Sequence, residues 1–166
     1  MFVSFVTAIA ISLAPIATAP EAPAKAPTNN QIAHGYHHPD MQGYQKSAYK
    51  GKYYKVAPNE HMRKCIIMRE SRARYGAKPW SSGGQGAYQF TGPWRDSLVF
   101  MMAKEIRNTY GKKAGNRIIK YLRTKPIYNW SRLFQDWSYY RVMNNSGPNS
   151  GWHHWQPVVP NTYCGP

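Results

Sequence analysis

A mainly α fold with at most one small hairpin is what this sequence predicts, and three observations predict it. From residue 59 onward, apolar residues recur at helical spacing in four separate runs. One stretch breaks that rhythm, Trp80-Ser81-Ser82-Gly83-Gly84-Gln85-Gly86-Ala87-Tyr88-Gln89-Phe90, and its glycines suit a turn or a close backbone approach to a ligand. No Rossmann, P-loop or nucleophile-elbow motif occurs between the helices.

The elements follow in order. Asn59 can cap a helix whose positions Met62, Cys65, Ile66 and Arg69 share a face, and Gly76 is a favoured stop. Residues 78–90 then read as a hairpin or irregular loop. Thr91 caps a second helix carrying Trp94, Leu98, Met102 and Ile106, closed by Gly111. Ala114, Ile118 and Leu122 mark a shorter third helix before Pro126. Trp130, Leu133, Phe134, Trp137 and Tyr140 mark a fourth that ends before Gly147. These stripes are read as core before they are read as binding surface.

The residues before 59 look different. Phe2 to Leu13 is apolar and uncharged, and small residues follow Pro15, so residues 1–24 are expected to be a secretory signal peptide cleaved after Ala24. A retained membrane anchor is the competing reading, weakened by the proline within the run. Residues 25–58 show neither helical nor strand periodicity and are expected to be a disordered basic and aromatic linker. His34, His37 and His38 with Asp40 lack a scaffold that would fix them as metal ligands. Tyr44, Tyr49, Tyr53 and Tyr54, interleaved with lysines, could stack on glycan, an acidic polymer or single-stranded nucleic acid.

Composition narrows the function. With 22 Lys plus Arg against 7 Asp plus Glu in 166 residues, the chain carries a net +15. Such a charge points to nucleic acid, membrane or cell wall as the surface acted on. The 2 cysteines exclude a Cys₄ zinc site. Bridged, Cys65 and Cys164 would close a loop worth up to ~4.7 kcal/mol in the chain-entropy model. Secretion favours that state, and a buried Cys65 with an idle Cys164 is the alternative.

Glu70 is the carboxylate that stands out. It falls near the C-terminal end of its helix, where the macrodipole disfavours negative charge, one turn after Ile66 and Ile67. General-acid cleavage of a glycosidic bond needs a carboxyl group that is protonated when the bond breaks. Arg74, one turn ahead, offers the competing reading of an ordinary surface ion pair.

Cys65-Ile66-Ile67-Met68-Arg69-Glu70-Ser71, then Tyr75-Gly76, then Ser82 to Phe90 and Trp94, resemble the transglycosylase-like domain of the lysozyme superfamily, whose best-known members are the resuscitation-promoting factors. The likeness is good over residues 62–98 and looser beyond. There, Trp152-His153-His154-Trp155-Gln156-Pro157 to Cys164 is similar to the family's ending, which bridges back to the catalytic helix.

The resemblance implies a lysozyme-like small helical domain with a cleft, spanning residues 59–166. It implies cleavage of the β-1,4 bond between N-acetylmuramic acid and N-acetylglucosamine in peptidoglycan. Glu70 is then the catalytic acid, and Ser71, its partner in the Glu-Ser pair, is a substrate-binding residue. Gln89 would hold a sugar, and Tyr88, Trp80, Phe90 and Trp94 are candidates for stacking on sugar rings, with core packing as their competing role. Two departures stand: the family has Cys directly before the Glu, and Gly-Gly rather than Arg72-Ala73-Arg74 after Glu-Ser. Cys65 therefore points to a different side of the helix.

A two-carboxylate hydrolase needs a second acid across the cleft. Asp96, Glu105 and Asp136 fall inside predicted helices with nothing aiming one at Glu70. Substrate assistance, in which the muramic acetamide or C6 hydroxyl attacks the anomeric carbon, is slightly favoured over hydrolysis. This chemistry requires no cofactor and no metal. The expected partners are peptidoglycan strands and anionic wall polymers, at a secreted, wall-associated location. Specific nucleic-acid binding and stable membrane insertion after signal cleavage are not expected. A non-catalytic basic wall-binding protein is the alternative function.

Overall fold

The computed structural model describes residues 46–55, 60–145, 154–155 and 164. The expected signal peptide, the His34–Asp40 group, Tyr44, the Asn59 cap and Gly147 lie outside these residues. The described chain is mainly helical: α1 (Glu60–Ser71), β1 (Gly84–Gln85), β2 (Phe90–Thr91), α2 (Trp94–Tyr110), α3 (Lys112–Thr124) and α4 (Arg132–Met143), with 3-10 turns at Lys52–Lys55 and Ile127–Asn129. Among the described residues, no helix is long and apolar enough to cross a membrane.

Helix α1 stops at Ser71, not at Gly76 as the spacing predicts. Arg72 and Ala73 adopt left-handed φ values of 54° and 57°. The Ala73 amide reaches back to the Ile67 carbonyl at 2.8 Å, and the Arg72 amide to Met68 at 3.0 Å. Nothing in the residue types announces this stop, because left-handed backbone costs a side chain roughly 1–2 kcal/mol and is ordinarily left to glycine. Strands β1 and β2 pair antiparallel, with Gly84 opposite Thr91 and Gln85 opposite Phe90. Thr91 is thus a strand residue and not the cap of α2. Pro93 holds that position, with no side-chain hydrogen bond.

Helices α2 and α3 turn about Gly111, at φ 78°, and pack closely. A Cβ on Gly115 would sit 2.8 Å from the Arg107 Cα, so the glycine lets the two backbones approach. Leu98, Met102 and Ile106 from α2, Ile118 and Leu122 from α3, and Phe134 and Trp137 from α4 meet in one core. Trp130 precedes α4 and is fully buried, donating its indole N–H to the Leu122 and Lys125 carbonyls, both at 3.1 Å.

Residues 46–55 belong to this core and are not linker. Ser47 and Tyr49 are buried. Tyr49 stacks on Trp137 with centroids 5.0 Å apart, and its hydroxyl donates to Glu105 at 2.6 Å. Lys50 lies 3.9 Å over the Tyr54 ring and Arg141 3.9 Å over Tyr53. The tyrosines anchor an irregular segment, so it carries no periodic signal.

A buried polar cluster holds the pieces in register. Asp136 accepts hydrogen bonds from the Tyr75 hydroxyl at 2.5 Å, the Tyr88 hydroxyl at 2.6 Å and the Ala48 amide at 2.8 Å. Arg63 approaches it to 3.5 Å, and both side chains are 0% exposed. Glu60 closes the cluster by accepting from the Arg63 Nε at 2.9 Å. Burial raises the Glu60 pKa, but the Arg63 charge and the Ser47 amide outweigh it and hold the carboxyl below its ordinary value.

Asp136→Asn should lower the unfolding free energy by about 3–5 kcal/mol in urea titrations, because it leaves Arg63 buried beside a neutral group. Burial also raises the hydroxyl pKa values of Tyr75, Tyr88, Tyr139 and Tyr140. Unfolded tyrosines ionise near pH ~10 while these keep their protons, so native protein binds more protons and loses stability as pH rises beyond that value. Alkaline titration should show tyrosinate absorbance and loss of near-ultraviolet dichroism rising together in one transition.

Candidate functional site

Glu70 is the penultimate residue of α1, and its side chain is 25% exposed. Its partner is Arg69 and not Arg74: Oε1 accepts from Arg69 Nη2 at 2.7 Å and Nε at 3.0 Å. Arg74 turns away and donates from Nε to the Ser71 carbonyl at 3.0 Å. Arg69 Nη2 also donates to the Trp155 carbonyl, so one guanidinium joins the carboxylate to the C-terminal segment.

Ser71 fixes the position of Glu70. It is buried, and its hydroxyl is 2.8 Å from the Ala87 carbonyl and 3.2 Å from that of Ile67. The helix end is thereby pinned to the loop between β1 and β2. Gln135, which no periodicity singles out, grips the same loop from α4: its side-chain oxygen accepts from the Ala87 amide at 2.9 Å, and its nitrogen donates to the Tyr75 and Trp130 carbonyls, each at 2.9 Å. A Cβ on Gly86 would lie 2.3 Å from the Gln135 oxygen, which is why this turn needs glycine.

Gln89 sits at a left-handed φ of 52°, and its side-chain nitrogen donates to the Gly86 carbonyl at 2.9 Å. It is half-buried and folded back over Gly84. Among the described residues, the non-glycine positions with positive φ are Arg72, Ala73 and Gln89. All of them flank Ser71 and the loop it holds. Backbone strain of this kind persists only where the surroundings enforce it, and it clusters at functional sites.

The aromatic candidates separate. Tyr88 is fully buried, stacked on Tyr139 with centroids 5.0 Å apart, and its hydroxyl is committed to Asp136. It cannot stack on a sugar; core packing is its role. Phe90 is likewise buried. Trp80 is 86% exposed on the loop after α1. Trp94 is half-buried, its ring centroid 4.5 Å from that of His154. It lines a groove of about 680 Å³ with Asp96, Ser97, Phe100 and Asn145, and Glu70 and Gln89 are not among the groove's walls. Burial lowers the His154 pKa.

The remaining described carboxylates serve elsewhere. Asp136 and Glu60 belong to the buried cluster, and Glu105 accepts from Tyr49, Lys52 and Trp137. Asp96 is 68% exposed beside Arg95. No cluster of His, Cys, Asp and Glu able to hold a metal ion forms among the described residues.

Cys65 and Cys164 are bridged, with Cα atoms 5.6 Å apart. Trp155, buried and donating its indole N–H to the Tyr88 carbonyl at 3.0 Å, brings the chain back over the hairpin. Most of the expected Trp152–Cys164 ending lies outside the described residues. No protein-family model, curated protein or solved structure matches the chain.

The bridge closes a sequence separation of 99 residues. Replacing both cysteines by serine should lower the unfolding free energy by about 2–5 kcal/mol. Parallel denaturant curves of the oxidised and reduced parent protein should reproduce the difference.

Proposed function

We propose that the protein is a secreted peptidoglycan-cleaving glycosidase in which Glu70 is the general acid and then the base. The observation that carries this reading is the way the structure spends its carboxylates. Among the described residues, Glu60, Glu105 and Asp136 accept hydrogen bonds from residues distant in the chain and Asp96 lies out on the surface, whereas Glu70, 25% exposed, is paired only with its neighbour Arg69, on a pinned helix end flanked by left-handed backbone. The resemblance around Glu70-Ser71 and the Gly-Gly-x-Gly loop points to the same residue.

With no second carboxylate beside Glu70 among the described residues, substrate assistance suits the site better than hydrolysis by an acid pair. Glu70 protonates the leaving glycosidic oxygen while the muramic C6 hydroxyl attacks the anomeric carbon. The carboxylate then takes the hydroxyl proton, and a 1,6-anhydro end results. For the proton to reside on Glu70, its contact with Arg69 has to loosen as the glycan enters. The Trp155 carbonyl gives the guanidinium a second acceptor while it does. Gln89 and the exposed Trp80 are the side chains near the hairpin best suited to meet sugars, by hydrogen bonding and stacking respectively.

The Arg69–Glu70 pair is also the observation that favours the second reading, a basic wall-binding protein in which Glu70 is structural. Glu70→Gln separates the two. The parent protein should release muropeptides with anhydro-muramic ends from purified peptidoglycan, identified by mass spectrometry. The variant should release none, with unfolding free energy changed by less than about 0.5 kcal/mol. Sedimentation of both proteins with the wall, without release by either, would make the binding protein the correct reading.

A further inference from the structure

Helix α3 carries two chemistries on opposite sides. Gly115, Ile118, Ile119 and Leu122 are buried, and Lys112, Lys113, Lys120 and Arg123 are exposed. At 3.6 residues per turn these cations fall within an arc of roughly 100° and extend along about 16 Å of the helix axis. The helix contains no Asp or Glu to offset them. The close approach at Gly115 fixes the rotation of α3 against α2, so the cationic face is a rigid row and not a mobile tail.

We propose that this face is a docking strip for a linear phosphodiester polymer without bases, of the polyol-phosphate class. It stands apart from Glu70 and does not depend on that residue being catalytic. Cations held this close repel one another and gather counterions, and a polyanion that displaces them gains the entropy of their release. Nucleic acid is disfavoured because single-strand binding adds aromatic stacking to charge. The aromatic residue of α3, Tyr121, lies off the cationic arc and is half-buried. A bilayer surface is disfavoured because interfacial helices bind by immersing their apolar face, and here that face is already covered by the core. What remains is a ligand read by charge alone and flexible enough to follow a straight row.

The test uses the full chain and purified poly(glycerol phosphate), titrated at several salt concentrations. A strip variant, Lys112→Gln with Lys113→Gln and Lys120→Gln, is compared with a control of equal charge, Lys64→Gln with Lys78→Gln and Lys104→Gln, whose lysines lie on α1, the loop after it and α2. Glutamine keeps helix propensity, and Lys120→Glu alone serves as a second, milder probe. The strip variant should bind at least about tenfold more weakly, and its salt slope should fall by roughly 0.7 for each phosphate no longer neutralised. The control should stay within about threefold of the parent, and Lys120→Glu should fall between them. Equal losses in strip and control variants would overturn the proposal in favour of bulk charge. Tighter binding to a single-stranded oligonucleotide or to phosphatidylglycerol vesicles than to poly(glycerol phosphate) would overturn it in favour of that ligand.

Discussion

Asp136 is fully buried, and a carboxylate taken out of water is tolerable only if its partners all arrive together. They come from different parts of the chain: Ala48 from the segment before α1, Arg63 from α1, Tyr75 from the loop after it, and Tyr88 from the hairpin, all meeting a residue of α4. Losing any one leaves charge or hydroxyl unsatisfied in the core. Apolar packing among α2, α3 and α4 could accept small slips; this cluster cannot. It therefore sets the register between the helical body and the layer that carries Glu70.

That layer depends on the cluster in a traceable way. Tyr88 is held by Asp136 and stacks on Tyr139, and its carbonyl receives the Trp155 indole. Ala87, the preceding residue, is gripped by Gln135 and by Ser71. Ser71 follows Glu70 directly. From the buried charge to the candidate acid there is thus an unbroken run of hydrogen bonds and covalent neighbours. Fixing a carboxyl group this way reduces the reorganisation needed when a substrate arrives.

The helices are legible in the sequence because burial there follows the helical period: Leu98, Met102 and Ile106, then Ile118 and Leu122, then Phe134 and Trp137 are both the predicted and the observed core. The polar cluster is not. Arg63, Gln135 and Asp136 have the residue types of a surface, and only the convergence of partners distant in sequence buries them. Residues 46–55 escape a periodicity reading for a related reason, since an irregular segment held by tyrosine side chains leaves no period to detect. Around Glu70, its position near the end of a helix and the Cys65–Cys164 bridge are legible. The choice of Arg69 over Arg74 is not, because it follows from the left-handed turn at Arg72 and Ala73 that carries Arg74 off the helical path.

The same turn explains why net charge is a poor guide to what each cation does here. Arg63 is buried and neutralised within the fold, Arg69 is shared between Glu70 and a carbonyl, and Arg74 closes its own turn. Arg63 is out of a polyanion's reach and Arg69 is largely covered, while Arg74 stays exposed at the helix end. The lysines and arginine on the outer face of α3 are exposed on a regular helix without acidic neighbours along it, and there charge is the main property presented to solvent. A net +15 thus divides into cations that build the site and cations that face outward. Long-range attraction to an anionic surface comes from the second group, and the local chemistry at Glu70 from the first.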